Sequence, residues 1–567
     1  MGAYLGIFDG HNAAAALLVE GQMRGAIQEE RLVGVKNYYG PPAKAVQKLL
    51  DDAGLQPSDI NRVQVASRYV QTPREPRSIK TSFDNQFRST PRQWLVRGLA
   101  STQAYRKMRT GQRMDQRSAV LEQWGFAPDQ IDFYDHHTTH AATVYYGLQQ
   151  DQAPYLILTL DGGGDGLSGS VSQASAGQLE RLIAIPREDS IGEIYAATTH
   201  LLGFMPLEHE YKLMGMAPYA ATEYARPVAD IFHSYVGLDP ANPMLFKRKV
   251  SEPLFRLGPR LQSDLQRMRF DNICAGLQLF IEELTAAWTQ ACITTTGIKR
   301  VLAAGGVFMN VKANKTISEL DQVDYFEAFP SCGDESLPFG ACYLAARAAG
   351  EEVHPLEHYY LGNTLETDEC RRALDNLEDL EVDVEEPADM AQRAASLLAD
   401  GQIIARAAGP MEFGARALGN RSILADPINQ DVVRVINHMI KKRDFWMPFA
   451  PVVRRPEAHR YFHNPKDLPS PYMMNTFAST QRREEFMAAV HNADLTARPQ
   501  LVEEGQNPPY EAILKHFAEI TGRHVLLNTS FNLHGLPIVC STQDALYVFA
   551  NSGLKHLILG PFLVSKK

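Results

Sequence analysis

The chain has 567 residues, 45% hydrophobic and 22% charged, enough to bury sizeable cores and too apolar for a disordered polymer. At ~150 residues per domain the length suits three or four domains, or two large α/β ones. Fifty-six Lys+Arg against 66 Asp+Glu leave a net charge of −10, which argues against a broad nucleic-acid footprint, and no run of ~18 apolar residues is present to span a membrane as a helix. The start, MGAYLGIFDGHNAAAALLVEG, has no basic leader region and is broken by Asp9, His11 and Asn12, so a signal peptide is not expected. Six scattered cysteines without a C-x-x-C pair fit a reducing, cytoplasmic setting and exclude a cysteine-built zinc site.

Residues 4–8 read as a strand, Asp9-Gly10-His11-Asn12 as a turn, and 14–19 and 24–28 as returning strands. The layout recurs at 155–160, the glycine-rich turn Asp161 to Gly166, 168–172 and 182–185, which predicts an internally duplicated α/β fold. Residues 43–53 have apolar positions at helical spacing, stopped by Gly54. The basic stretch 70–117, interrupted by Pro73, Pro76 and Pro91, reads as an insertion or lid. An amphipathic helix is expected over 272–300, then a strand at 301–304 entering Gly305-Gly306. A boundary near 350–365 divides the chain into domains 1–355 and 365–567.

Four groups of residues carry chemistry. His136 and His140 are four apart, so on a helix their imidazoles leave one face and could bind one metal ion, although such a pair is also a common structural feature. Asp161 and Asp334 are the carboxylates that could join them, and two His with two Asp suit Fe, Mn or Mg better than structural zinc. Gly162, Gly163 and Gly164, and again Gly305 and Gly306, follow strands where a backbone can approach a phosphate, with Asn310 and Asn314 on one face of the next helix. Lys212 lies in a loop-like run, 210–219, where its charge could meet phosphate. In the last third, Arg416, Arg421, Lys441, Lys442, Arg443, Arg498, Asn528 and Ser530 sit on strand-end loops and predict an anion pocket for phosphate or acyl phosphate, because an enclosed guanidinium needs a counter-anion.

Taken in order, the strings HNAAAALLVEG with the following EER, DHHTTHAA, LDGGGDG, EYKLMGMAPY, AAGGVFMNVKAN, PSCGDE, EFGARALGNRSILADP, KKRDFW, MPFAP, HNADLTARPQ and LLNTSFNLHG resemble the nodulation-type and cephem-type O-carbamoyltransferase family, whose best-known member type acts on tobramycin. The resemblance implies an N-terminal duplicated domain of the actin-like (acetate kinase/Hsp70/actin) superfamily and a C-terminal α/β domain like threonylcarbamoyl-adenylate synthase. It implies that the C-terminal domain makes carbamoyl adenylate from carbamoyl phosphate and ATP, and that the adenylate passes internally to the N-terminal domain, where a hydroxyl of a small natural-product acceptor takes the carbamoyl group. On that reading His136, His140, Asp161 and Asp334 hold Fe(2+) ahead of Mn or another divalent ion, and Mg(2+) accompanies ATP. His11 is the base, Arg416 and Arg498 stabilise developing charge, and Lys36, Lys212, the glycine turns, Asn310 and Asn314 contact the nucleotide. A homodimer is compatible with the family; nucleic acid and membrane are not expected partners.

Three positions depart from the family pattern: Met447 where Arg is usual before Pro-Phe-Ala-Pro, Leu536 for an acidic residue, and Ala415 for Pro. Met447 bears on how carbamoyl phosphate is held. The rivals are a tRNA threonylcarbamoyl transferase-like enzyme, an actin-like small-molecule kinase and a non-catalytic nucleotide-binding regulator. The acceptor pocket is expected in loops within 70–117 and 240–270.

Overall fold

The computed structural model describes residues 2–70, 79–87, 103–148, 151–377, 380–441 and 444–567. The chain parts into two compact units, Met1–Glu29 with Asn37–Leu356, and Glu30–Lys36 with Glu357–Lys567. The early segment Glu30–Lys36 therefore belongs with the second unit, which no local pattern in the sequence foretells.

The first unit holds two five-stranded sheets built alike. β1 (Ala3–Phe8), β2 (Ala14–Val19), β3 (Gln22–Gln28), β4 (Arg62–Ala66) and β5 (Ile131–Tyr134) lie in the order β3-β2-β1-β4-β5. β6 (Tyr155–Gly164), β7 (Leu167–Ser175), β8 (Gln178–Pro186), then, after a β9–β10 hairpin (Val236–Asp239, Asn242–Arg248), β11 (Arg300–Ala304) and β12 (Tyr325–Ala328) lie in the order β12-β11-β6-β7-β8. In each, the first three strands form an antiparallel meander and the last two join parallel to the first. The duplication expected from the two hairpins thus extends to the whole strand order. β1 and β2 are buried almost throughout, which is why they read as unbroken apolar runs rather than alternating ones.

The glycine-rich stretch differs from its expected form. β6 continues through Asp161 to Gly164 with a register shift after Leu160, and the reversal uses only Asp165 and Gly166, both at positive φ (51° and 86°). That is the two-residue geometry whose twist matches the strands it joins. The run 210–219 is likewise helical over Glu210–Met216, so Lys212 stands on a helix. Of the basic stretch 70–117, residues 71–78 and 88–102 lie outside the described residues; the rest contributes helices Ile79–Phe87 and Gln103–Gln123.

The second unit is built on an eight-stranded mixed sheet. Its strands are β13 (Val382–Glu385), β14 (Ile404–Ala407), β15 (Arg421–Ala425), β16 (Ala450–Arg454), β20 (Gln500–Val502), β21 (Val525–Ser530), β22 (His556–Leu559) and β23 (Phe562–Lys566), in the order β13-β23-β22-β14-β15-β21-β16-β20; β17 (Phe462–His463), β18 (Phe477–Ser479) and β19 (Thr496–Ala497) form a small separate sheet. Alternate residues feed two cores. Ile404, Leu424, Leu526, Ile558 and Leu563 pack on one face with Leu398 and Phe517, and Ala405, Ile423, Leu527, Leu557 and Val564 on the other with Phe549. The two-residue strand period permits that division. Asn528 and Ser530 fall inside β21, paired with Leu424 and Ser422, rather than in a loop after it.

Candidate functional site

The first site grows from the end of β5. Asp135 Oδ1 accepts the amide of Thr138 at 2.9 Å, which starts helix His136–Leu148, and it is paired with Arg181. Asp165, in the β6–β7 turn, accepts the amide of His136 at 2.9 Å and those of Arg68 and Tyr69 at 2.9 and 2.6 Å. A carboxylate at a helix N-terminus is electrostatically favoured there. This start turns His136 and His140 toward the end of β6, where Asp161 stands. Asp334, in the turn Asp334–Ser336 before helix Leu337–Ala348, completes the group.

His136 Nε2 lies 3.0 Å from Asp161 Oδ2 and 3.5 Å from Asp334 Oδ1; for His140 Nε2 the distances are 3.3 and 3.5 Å. One donor atom from each of the four residues falls within 4.8 Å of the others. Ligands ~2.1 Å from a common ion stand roughly 3.0–3.4 Å apart at right-angle to tetrahedral settings, so the spacing suits a divalent cation. The electrostatics agree. Burial, reinforced by the charge of Asp161, pushes the Asp334 carboxyl well above the usual range. Burial opposes ionisation of Asp161 too, but hydrogen bonds from His136 and His140 hold it well below its ordinary value. Two adjacent carboxyls of which only one readily ionises are what a cation would relieve. Close approach is also built in, since a Cβ on Gly164 would lie 2.1 Å from Cγ of His136.

Around the centre stand residues beyond the four ligands. His136 Nδ1 is 2.7 Å from Ser67 Oγ. His137, turned the other way, meets Thr159 Oγ1 at 3.0 Å and is held neutral by burial and by the two neighbouring histidines. His11 forms an isolated antiparallel bridge with Tyr39, whose hydroxyl is pushed up to about 12, first by burial and then by Asp9; it also feels Asp334. The His11 turn is thereby tied to the neighbourhood of the centre. Asp9 and Arg117 make a buried bidentate pair at 2.7 Å and line a cavity of about 230 Å³ with Ile7, Pro41, Pro42, Val65 and Trp124. Arg117 is thus no part of a basic surface.

Asn310 and Asn314 are committed within the fold. Asn310 caps helix Val311–Ser318 and exchanges two hydrogen bonds with Gln278, and Asn314 Nδ2 donates to the Phe308 carbonyl at 2.8 Å. Gly306 is the nearer of its pair to the centre, its Cβ position 3.6 Å from Asp161 Oδ1. Lys212 Nζ lies over the Phe204 ring, and Lys36 is in the segment that counts with the second unit.

The second site surrounds the irregular loop between β14 and β15. Glu412, 1% exposed, accepts the amides of Leu418 and Arg421. Arg421, fully buried, spends its guanidinium on the carbonyls of Gly409, Asn420 and Asn363 at 2.9–3.0 Å. Asn528 and Gln500 hold the carbonyls of Ala417 and Leu418, and Arg31 donates to Gly414 at 2.7 Å. Arg421 and Asn528 therefore shape the loop from within, whereas Arg416, in the loop itself, and Arg498 and Ser530, outside it, are half-buried. Arg406, which the sequence reading passed over, is buried beside Glu412; burial lowers its guanidinium to about 10, against the opposing pull of Glu412. Lys441 ends a π-helical turn, Asn437–Lys441, and Lys442 and Arg443 lie outside the described residues.

The sequence of residues 3–343 matches the description Carbamoyltransferase N-terminus, and 395–566 matches Carbamoyltransferase C-terminus. The chain belongs to the carbamoyltransferase family. It is a transferase of that family, similar to Nodulation protein NolNO of Sinorhizobium fredii (31% identical over 98% of this chain and 79% of that one) and to an uncharacterized protein of Methanocaldococcus jannaschii (28%, 99% of both). Over a shorter stretch, 29% of this chain and 31% of the relative, it is 37% identical to the 3'-hydroxymethylcephem-O-carbamoyltransferase of Streptomyces clavuligerus. Full-length HypF in its phosphate- and nucleotide-bound form superposes on 62% of the chain and 56% of its own, at TM-score 0.33 and 10% identity, a likeness too loose to bear on chemistry. Both sites lie within the family matches. Among the described residues no helix is long and apolar enough to cross a membrane.

Proposed function

We propose that the chain is an ATP-dependent O-carbamoyltransferase acting on a hydroxyl of a small-molecule acceptor. The observation that carries the reading is the convergence of His136, His140, Asp161 and Asp334 from three separate parts of the chain, in a member of the carbamoyltransferase family.

The second unit, which we assign a fold like threonylcarbamoyl-adenylate synthase, charges the donor. Carbamoyl phosphate loses phosphate to water, the carbamate oxygen attacks the α-phosphorus of ATP, and pyrophosphate leaves. Arg416 and Arg498, both half-buried, hold phosphates and neutralise charge as it develops. Arg421 and Asn528 serve the same step at one remove, by keeping the loop in shape.

In the first unit, assigned to the actin-like superfamily, the acceptor oxygen attacks the carbamoyl carbon and AMP departs. His11 takes the hydroxyl proton. His136, His140, Asp161 and Asp334 would hold a divalent ion, which would supply charge stabilisation for the leaving phosphate. Asp165 and Asp135 keep the helix that presents the two histidines in register. The Trp124- and proline-lined cavity suits an apolar or ring portion of the acceptor.

The test is to incubate the protein with carbamoyl phosphate, ATP and a panel of hydroxylated acceptors, and to follow AMP and a mass gain of one carbamoyl group. Absence of AMP under every condition would overturn the reading, and ADP in its place would favour a kinase. Retardation of tRNA would favour the tRNA-modifying alternative.

A further inference from the structure

We propose that Ser67 is a positioning residue for the His136–His140–Asp161–Asp334 centre, held in place by a buried Asp9–Arg117 pair. The inference rests on the metal-centre reading above and adds to it what aims one of the ligands.

Ser67 follows β4 and is 1% exposed, with φ at +68°. A non-glycine residue adopts that left-handed region seldom, and keeps it only where the surroundings over-determine it. Here they do so from both sides. Arg117 Nη1 donates to the Ser67 carbonyl at 2.7 Å and Nη2 to the Ala66 carbonyl at 3.2 Å, while Asp9 holds the same guanidinium in a two-pronged grip. On the other side, the amides of Arg68 and Tyr69 are bound by Asp165, the residue that also takes the His136 amide. The peptide around Ser67 and the first turn of the histidine helix thus share one anchor.

The product of this clamp is a hydroxyl 2.7 Å from His136 Nδ1. An imidazole that turns its Nε2 lone pair to a cation carries its proton on Nδ1 and needs an acceptor there, and Ser67 Oγ is that acceptor. The second imidazole has no such help: His140 Nδ1 is buried with no hydrogen-bond partner among the described residues. His140 is aimed by helix packing, His136 by Ser67. Partners of this kind tune the affinity of a metal centre without touching the ion.

The two obvious substitutions separate the hydroxyl from the backbone. Ser67→Ala removes the hydroxyl and keeps the unfavourable φ; Ser67→Gly removes the hydroxyl and relaxes it. The full chain is stripped of metal and titrated calorimetrically with Mn(2+), and thermal unfolding of the metal-free proteins is measured alongside. Both variants should bind Mn(2+) about 10–100-fold more weakly than the parent, while metal-free Ser67→Gly unfolds at or above the parent's temperature. Unchanged Mn(2+) affinity in Ser67→Gly would overturn the proposal and leave the centre standing. Failure of the parent itself to bind Mn(2+) would overturn the centre and this inference with it.

Discussion

The two polar sites answer the problem of buried charge in opposite ways. In the first unit, two imidazoles and two carboxyls face one another across 3.0–3.5 Å, and burial with the charge of Asp161 suppresses the ionisation of Asp334. In the second, Arg421 is as deeply buried as His140, yet it donates to three backbone carbonyls and has Glu412 nearby. Burial alone therefore does not mark a functional group. An arrangement that is electrostatically incomplete in itself calls for a ligand, and one that spends its charge on neighbouring backbone carbonyls is architecture.

Substitutions should separate these cases. His136→Ala or His140→Ala should abolish metal binding and lower carbamoyl transfer about a thousandfold, while ATP–pyrophosphate exchange by the second unit persists; loss of both half-reactions together would erase the distinction. Arg421→Ala leaves three carbonyls without their donor and should cost about 3–5 kcal/mol in urea unfolding of the second unit. Arg416→Ala, at the loop surface, should stay within about 0.5 kcal/mol and still lose adenylate formation.

A third comparison is with Glu210, whose carboxyl is pushed up to about 7 by burial, against the bond it accepts from the Leu207 amide. Its folded value lies above the unfolded one, so the favourable contribution is whole below pH ~4 and is lost as pH rises to ~7. Glu210→Gln should match the parent at pH 4 and exceed it by about 2–3 kcal/mol above pH 7, as urea midpoints across pH would show. The smallest effect compares the duplicated sheets. Gly166→Ala meets no atom within 4 Å, so only its positive φ counts, at about 1 kcal/mol; Gly21→Ala would also drive a Cβ to 2.3 Å from the Glu352 carbonyl and should cost more.

Much of this was legible in the chain. The repeated hairpins announced the duplicated sheet, since alternating and unbroken apolar runs and turn residues are local signals. The i, i+4 histidine pair and the two aspartates were readable as ligand types, and the glycines as points of close approach. For other residues, type conveys chemistry but not commitment. Asn310 and Asn314 have the spacing of a nucleotide contact and are taken up by a helix cap, Gln278 and the Phe308 carbonyl. Arg421 has the look of a phosphate ligand and is spent on carbonyls.

Ser67 and Arg117 show the limit most plainly. One is a serine after a strand and the other the last arginine of a basic stretch, 50 residues apart, and neither carries a local signal. Secondary structure and ligand chemistry follow from short-range rules of sterics and hydrogen-bonding type, which neighbouring residues already obey. The acceptor that aims His136, and the partners that quiet Arg421, come from chain segments brought together only by burial of the cores, so folding in three dimensions settled them.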